Sequence, residues 1–130
     1  MENRLNEYIS SHISPEPPLL AETYLHTHIY HLYPRMCSGH IQGRILKMLT
    51  AMIAPKRILE LGTFTGYSAL CLAEGMPADG HLHTVEIDDE MEDELRGRFA
   101  RSEAADRIHL HIGDALSSQN IRDKDAYWHR

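Results

Sequence analysis

The sequence predicts an α/β fold in which N-terminal helices lead into three parallel strands, and three observations predict it. Apolar residues recur at helical spacing through the first 54 positions, β-favouring runs alternate with helical ones after Pro55, and the first of those runs ends at a glycine. Leu5, Tyr8, Ile9 and Ile13 set the first helix, and Pro15, Pro17 and Pro18 stop it by removing donors and restricting the residues before each ring. A second helix is expected from about Leu19 to about Tyr33, closed by Pro34, with Pro34–His40 as a loop. From Ile41 onward, Ile45, Leu46, Met48, Leu49, Met52 and Ile53 make a wide helical stripe ended by Ala54-Pro55.

Beyond Pro55 the period changes. Arg57–Leu61 reads as a strand ending at Gly62, Gly66–Met76 as a helix stopping before Pro77 and Asp79-Gly80, and His81–Ile87 as a second strand. Asp88 or Asp89 caps a helix whose Met91, Leu95 and Phe99 lie four apart, with Glu90, Glu92 and Asp93 complementing its dipole. Arg107–Ile112 is the third strand, ending at Gly113-Asp114. The order β-α-β-α-β is half of a doubly wound, Rossmann-like parallel sheet. The chain thus divides into a helical region, 1–54, a sheet-bearing half, 55–116, and a polar tail, 117–130.

Composition narrows the function. The 130 residues carry 13 Lys+Arg against 19 Asp+Glu, a formal charge of -6, which argues against a general nucleic-acid binder. With 42% hydrophobic and 25% charged residues the chain reads as one ordinary globular domain. No apolar run approaches the length of a membrane span, and Met1–Tyr8 lacks the pattern of a secretion signal, so a cytoplasmic location without membrane contact is expected. Cys37 and Cys71 read as reduced thiols, Cys71 in packing and Cys37 in a loop on the ligand side, as a spectator or a reactive group.

The stretch Ile58–Ser68 is the informative one. In a parallel sheet this loop sits at the carboxyl end of the first strand, where α/β ligands bind. Gly62 lets backbone approach a ligand, and Gly66 lets the helix start close to the sheet. A dinucleotide loop needs bare glycine backbone against a pyrophosphate, but Phe64 and Thr65 fill the middle here, which disfavours a nicotinamide-dependent oxidoreductase. Glu86 follows Gly62 by 24 residues at the tip of the second strand, where a carboxylate can accept both ribose hydroxyls. A ribose without a phosphate points to S-adenosylmethionine.

From Met36 to Leu116 the chain resembles the N-terminal part of the class I, metal-dependent O-methyltransferases related to catechol and caffeoyl-CoA O-methyltransferases. The segments that carry the resemblance are MCSGHIQGRILKML, ILELGTFTGYSAL, HLHTVEIDDE and RIHLHIGDAL, in the family's order and spacing. The resemblance implies that Met36 and Ser38 cover the cofactor's methionine end, that Gly62, Phe64 and Ser68 surround its amino-acid portion, that Glu86 holds the ribose, and that Asp114 with Ala115 borders the adenine. It also implies a divalent metal such as magnesium, bound by an I-D-A-D-K-like strand end and a later Asp-Asn pair. This chain ends first, and Asp123, Lys124 and Asp125 do not follow an apolar strand, so no metal ligand and no catalytic residue is assigned.

The expectation is therefore a S-adenosylmethionine-dependent O-methyltransferase for a hydroxyl of a small aromatic acceptor, truncated before the later strands and inactive alone. Two alternatives stand beside it: a non-catalytic cofactor-binding or protein-interaction module, and a relative of the tRNA hydroxyuridine methyltransferases, the tRNA being disfavoured. Three strands in this order leave Arg57–Leu61 at an edge, so association is expected, whether as dimers like the family's, as an improvised sheet extension or as aggregation. Glu60 reads as structural, paired with a buried Arg or Lys, or else facing the cofactor's ammonium. His26, His28 and His31 lie close together, and His81/His83 and His109/His111 each share a strand face, but no recognisable ligand spacing completes a metal site.

Overall fold

The computed structural model describes residues 2–116; Met1 and positions 117–130, with the Asp123–Asp125 segment and Tyr127-Trp128, lie outside the described residues. Helices α1 (Glu2–His12), α2 (Pro18–Tyr30) and α3 (His40–Ile53) precede the sheet. Then come β1 (Arg57–Leu61), α4 (Tyr67–Gly75), β2 (His81–Glu86), α5 (Glu92–Ala100) and β3 (Ile108–Ile112). The sheet is parallel in the order β1-β2-β3, with Ile58 opposite Leu82 and Leu82 opposite Ile108. Strand β1 is thus an edge strand among the described residues.

Side-chain alternation gives the two sheet faces different work. Leu82 and, on β3, Ile108 and Leu110 join Leu70 of α4 and Leu95 and Phe99 of α5 in the core. The other face carries a histidine ladder. His81 Nδ1 lies 2.9 Å from His109 Nε2, and His83 Nδ1 2.9 Å from His111 Nε2, with the rings stacked. The rings pair across the two strands, not along one, so the two-apart histidines of a single strand do not converge on a common point.

Helices α3 and α4 pack closely because glycines remove the bulk between them. A Cβ on Gly43 would fall 2.7 Å from Cys71 Sγ, and one on Gly75 only 2.4 Å from the Lys47 carbonyl. Arg44 is buried in this seam and forks onto Glu74, at 3.2 and 2.5 Å, while Lys47 Nζ reaches Glu74 at 2.9 Å. Burial alone would push the Glu74 carboxyl up, but its hydrogen bonds and charge contacts with Arg44 and Lys47 outweigh that and hold it below its ordinary value. Most of the wide apolar stripe consequently faces away from α4: Ile45, Met48, Leu49, Met52 and Ile53 are exposed, while Leu46 packs partly against the core.

Several boundaries differ from the sequence reading. Helix α2 ends at Tyr30, three residues before the expected Tyr33, because His31 is already extended (φ -109°, ψ 144°); a 3-10 turn over Pro34–Met36 follows. Pro18, expected to break helices, opens α2, where its missing N–H costs nothing. Strand β2 stops at Glu86, and Asp88 caps a 3-10 turn, Asp89–Met91, by accepting from the Glu90 amide at 3.0 Å, with α5 continuing from Glu92.

Candidate functional site

All three strands deliver their carboxyl ends to one rim, and the loop after β1 is its centre. Gly62 and Thr63 donate their amides to the Val85 carbonyl at 2.9 and 3.2 Å, tying the loop to β2. The chain then turns through left-handed backbone at Gly62 (φ 90°), Phe64 (φ 50°) and Gly66 (φ 86°), closed by the Gly66 amide on the Thr63 carbonyl at 3.0 Å. A Cβ on Gly62 would meet nothing within 4 Å, so open space stands over this backbone. Gly66 answers to a different constraint from the one expected: a Cβ there would strike Phe99 at 2.8 Å and Leu95 at 3.3 Å, so its closeness is to α5 and not to the sheet.

Glu86 is aimed into this loop. Its Oε1 accepts the Phe64 amide at 2.8 Å and its Oε2 the Asp88 amide at 3.0 Å, and the residue is only 8% exposed. Each carboxylate oxygen has two lone pairs, so one remains on each for a ligand hydroxyl. The unusual φ of Phe64 turns its amide toward this carboxylate, which offsets the cost of that conformation.

Beneath the loop lies a chain of side chains that the sequence reading did not assemble. Thr84 donates to Glu60 Oε1 at 2.7 Å, Ser68 donates to Glu60 Oε2 at 2.6 Å, and the Thr63 and Thr84 hydroxyls are 2.6 Å apart. Since Thr84 gives its only hydrogen to Glu60, Thr63 must be the donor in that last pair. Glu60 therefore pairs with hydroxyls, not with a buried Arg or Lys. Burial pushes its carboxyl above the ordinary value, the bonds from Ser68 and Thr84 pull it back, and the charge of Glu86 adds to the rise. A hydroxyl amino acid in the middle of β2, on the face shared with Leu82, was the available signal.

Met36, Ser38, Gly62, Phe64 and Ser68 line one small cleft, together with Cys37 and Thr65. Glu86 joins it through the Phe64 amide. Asp114 and Ala115 do not line that cleft; they follow β3 on the same rim, where the Gly113 amide donates to the Glu86 carbonyl at 2.8 Å and Asp114 accepts the Leu116 amide at 3.0 Å. Thr65 of the cleft is tied to α2, whose buried Thr27 hydroxyl lies 3.0 Å from its own. Burial pushes the Cys37 thiol up, which favours the spectator reading, and Cys71 is pushed up to about 12 for the same reason. Both are free thiols.

The donor set suits an adenosyl sulfonium with an amino-acid tail: a doubly anchored carboxylate for a ribose, open glycine backbone, and a half-buried carboxyl with a hydroxyl beside it. Magnesium, by contrast, finds no fit among the described residues. Among the described residues one group of three candidate ligands occurs, His26, His31 and Glu94, and two imidazoles are a poor match for a cation that prefers oxygen.

Comparison with known proteins gives the family and the fold. Residues 8–127 match the family model described as O-methyltransferase. The catechol O-methyltransferase of Mycobacterium tuberculosis is 29% identical over 114 residues, covering 88% of this chain and 51% of the relative. Among solved structures, the O-methyltransferase of Bacillus cereus in complex with SAH (S-adenosylhomocysteine) superposes with a TM-score of 0.82 at 30% identity, covering 92% of this chain and 55% of that one. TomG from Streptomyces achromogenes, an O-methyltransferase involved in tomaymycin synthesis and solved with SAM (S-adenosylmethionine), gives 0.81 at 30% identity, covering 94% and 53%. The chain spans about half the length of the relatives it matches. On the family model and the shared three-stranded fold together, the chain belongs to the O-methyltransferase family.

Proposed function

We propose that this chain binds S-adenosylmethionine at the carboxyl rim of its sheet and serves as the methyl-donor half of an O-methyltransferase acting on a hydroxyl of a small aromatic acceptor. The observation that carries the reading is the anchoring of Glu86 by the Phe64 and Asp88 amides, which presents a carboxylate beside open glycine backbone. In this reading the two free lone pairs of Glu86 take the ribose hydroxyls. Glu60 fixes the Ser68 hydroxyl and faces the cofactor's ammonium with negative charge, Met36 and Ser38 close the methionine end, and Asp114 with Ala115 borders the adenine. When bound, the cofactor supplies an electrophilic methyl group on a sulfonium. The chain's own contribution is orientation: it fixes where the methyl group points, and in-line transfer depends on that alignment.

The aromatic acceptor rests on kinship with enzymes such as catechol O-methyltransferase. The described residues offer no oxygen-rich cation site to ionise and hold an acceptor hydroxyl, so the activating groups are assigned elsewhere and the described half alone is inactive. Calorimetric titration of the folded chain with S-adenosylhomocysteine tests the reading. Saturable heat at one ligand per chain is expected, and a folded sample giving none overturns it.

A second property is favoured by β1, an edge strand among the described residues, whose Leu59 and Leu61 are exposed. An edge strand beside exposed apolar side chains invites another chain. Sedimentation is expected to show dimers, and a monomer at all concentrations rules this out.

A further inference from the structure

Away from the glycine loop, the end of α2 and the start of α5 bring together three metal-ligating side chains. His31 follows the last residue of α2 in extended backbone, which brings its ring beside that of His26, with centroids 5.7 Å apart. Glu94, in the first turn of α5, faces both: its Oε1 lies 3.2 Å from His26 Nδ1 and 3.3 Å from His31 Nε2. One candidate ligand atom from each residue lies within 4.8 Å of the others.

We infer that His26, His31 and Glu94 form a binding site for a divalent transition-metal ion of the zinc class. Metal–ligand bonds of about 2.0–2.2 Å make the edge of a coordination tetrahedron roughly 3.3–3.6 Å, close to the two separations already present. Two imidazoles and one carboxylate are a ligand set for zinc and its borderline neighbours, with the fourth position left for water. A second observation points the same way. His26 Nδ1 and Glu94 Oε2 are buried side-chain atoms without a hydrogen bond, a costly arrangement that a shared cation would relieve. Arg98 does not supply that cation at close range. Its guanidinium is 3.7 Å from Glu94 Oε1, while its short bond, 2.6 Å, goes to the Thr65 carbonyl.

The histidine ladder is a weaker candidate, because its nitrogens already face one another at 2.9 Å across the strands. The proposed site also touches the loop: the His31 ring stands edge-on to Phe64, with centroids 5.5 Å apart. An ion there would therefore stiffen the wall that presents the Phe64 amide to Glu86. The inference stands whether or not a cofactor binds.

Cobalt(II) is the probe, since a tetrahedral nitrogen–oxygen site gives it visible absorption. The chelator-treated full chain is titrated, alongside Glu94→Gln, His31→Asn and, as a control on the same helix, His28→Asn, each checked for folding by circular dichroism. The expected result is one equivalent bound with the tetrahedral spectrum, retained in His28→Asn and weakened by roughly 100-fold in the other two, at least the loss that follows from disturbing a ligand's support. Absence of the one-equivalent spectrum in the parent chain, or undiminished affinity in folded Glu94→Gln and His31→Asn, overturns the site.

Discussion

Two carboxylates on neighbouring strands do different work at the same rim. Glu86 accepts two backbone amides and keeps its outward lone pairs; Glu60 is half-buried and bonded to hydroxyls. Replacing Glu86 by Gln removes the charge and one of the two amide acceptors. The expected loss in S-adenosylhomocysteine affinity is about 1.5–3 kcal/mol, or roughly ten- to a hundredfold, read by calorimetry. For Glu60 the sign of the pH effect follows from its raised carboxyl: the folded chain binds this proton more tightly than the unfolded chain, so the ionised group destabilises the fold at neutral pH. That penalty is relieved as pH falls through the raised folded value toward the ordinary 4.5. Glu60→Gln is therefore expected to melt higher than the parent at pH 7, with the difference shrinking on acidification, and to bind S-adenosylhomocysteine more weakly. Thermal melts between pH 7 and pH 4.5 check the first part and calorimetry the second.

At the scale of elements, what was legible in the sequence was whatever is set by neighbours along the chain. The strand–glycine–helix passage from Ile58 to Ser68, the Asp88 cap and the alternation of strands and helices all follow from local residue types. The Glu60–Thr84 contact is set by how β1 and β2 slide into register, and the His26–His31–Glu94 grouping by how α2 docks beside α5; neither leaves a spacing to read. Helix α3 shows the limit most plainly. Most of its apolar stripe is exposed, because glycines and the Arg44–Glu74 pair decide which side meets α4. Gly75→Ala tests that seam. With 2.4 Å between the new Cβ and the Lys47 carbonyl, backbone must move, and a loss of about 1–3 kcal/mol or more is expected in denaturant unfolding. Gly97→Ala, in α5 with nothing within 4 Å of the added Cβ, is the matched control and should be neutral or slightly stabilising.

For the whole molecule, the order β1-β2-β3 puts Glu86 on the middle strand and suspends the glycine loop from the outer one. Among the described residues the middle strand is held by ladders on both sides and each outer strand by one, so local opening should begin at the outer strands, β1 with its loop included. In native-state hydrogen exchange the amides of Gly62, Thr63 and Phe64 should therefore trade with solvent sooner than those of Thr84 and Val85. A ligand spanning the loop and Glu86 would clamp the rim to the interior and bring the two groups toward a common rate. The molecule would then report occupancy through its own breathing, with no chemistry required to see it.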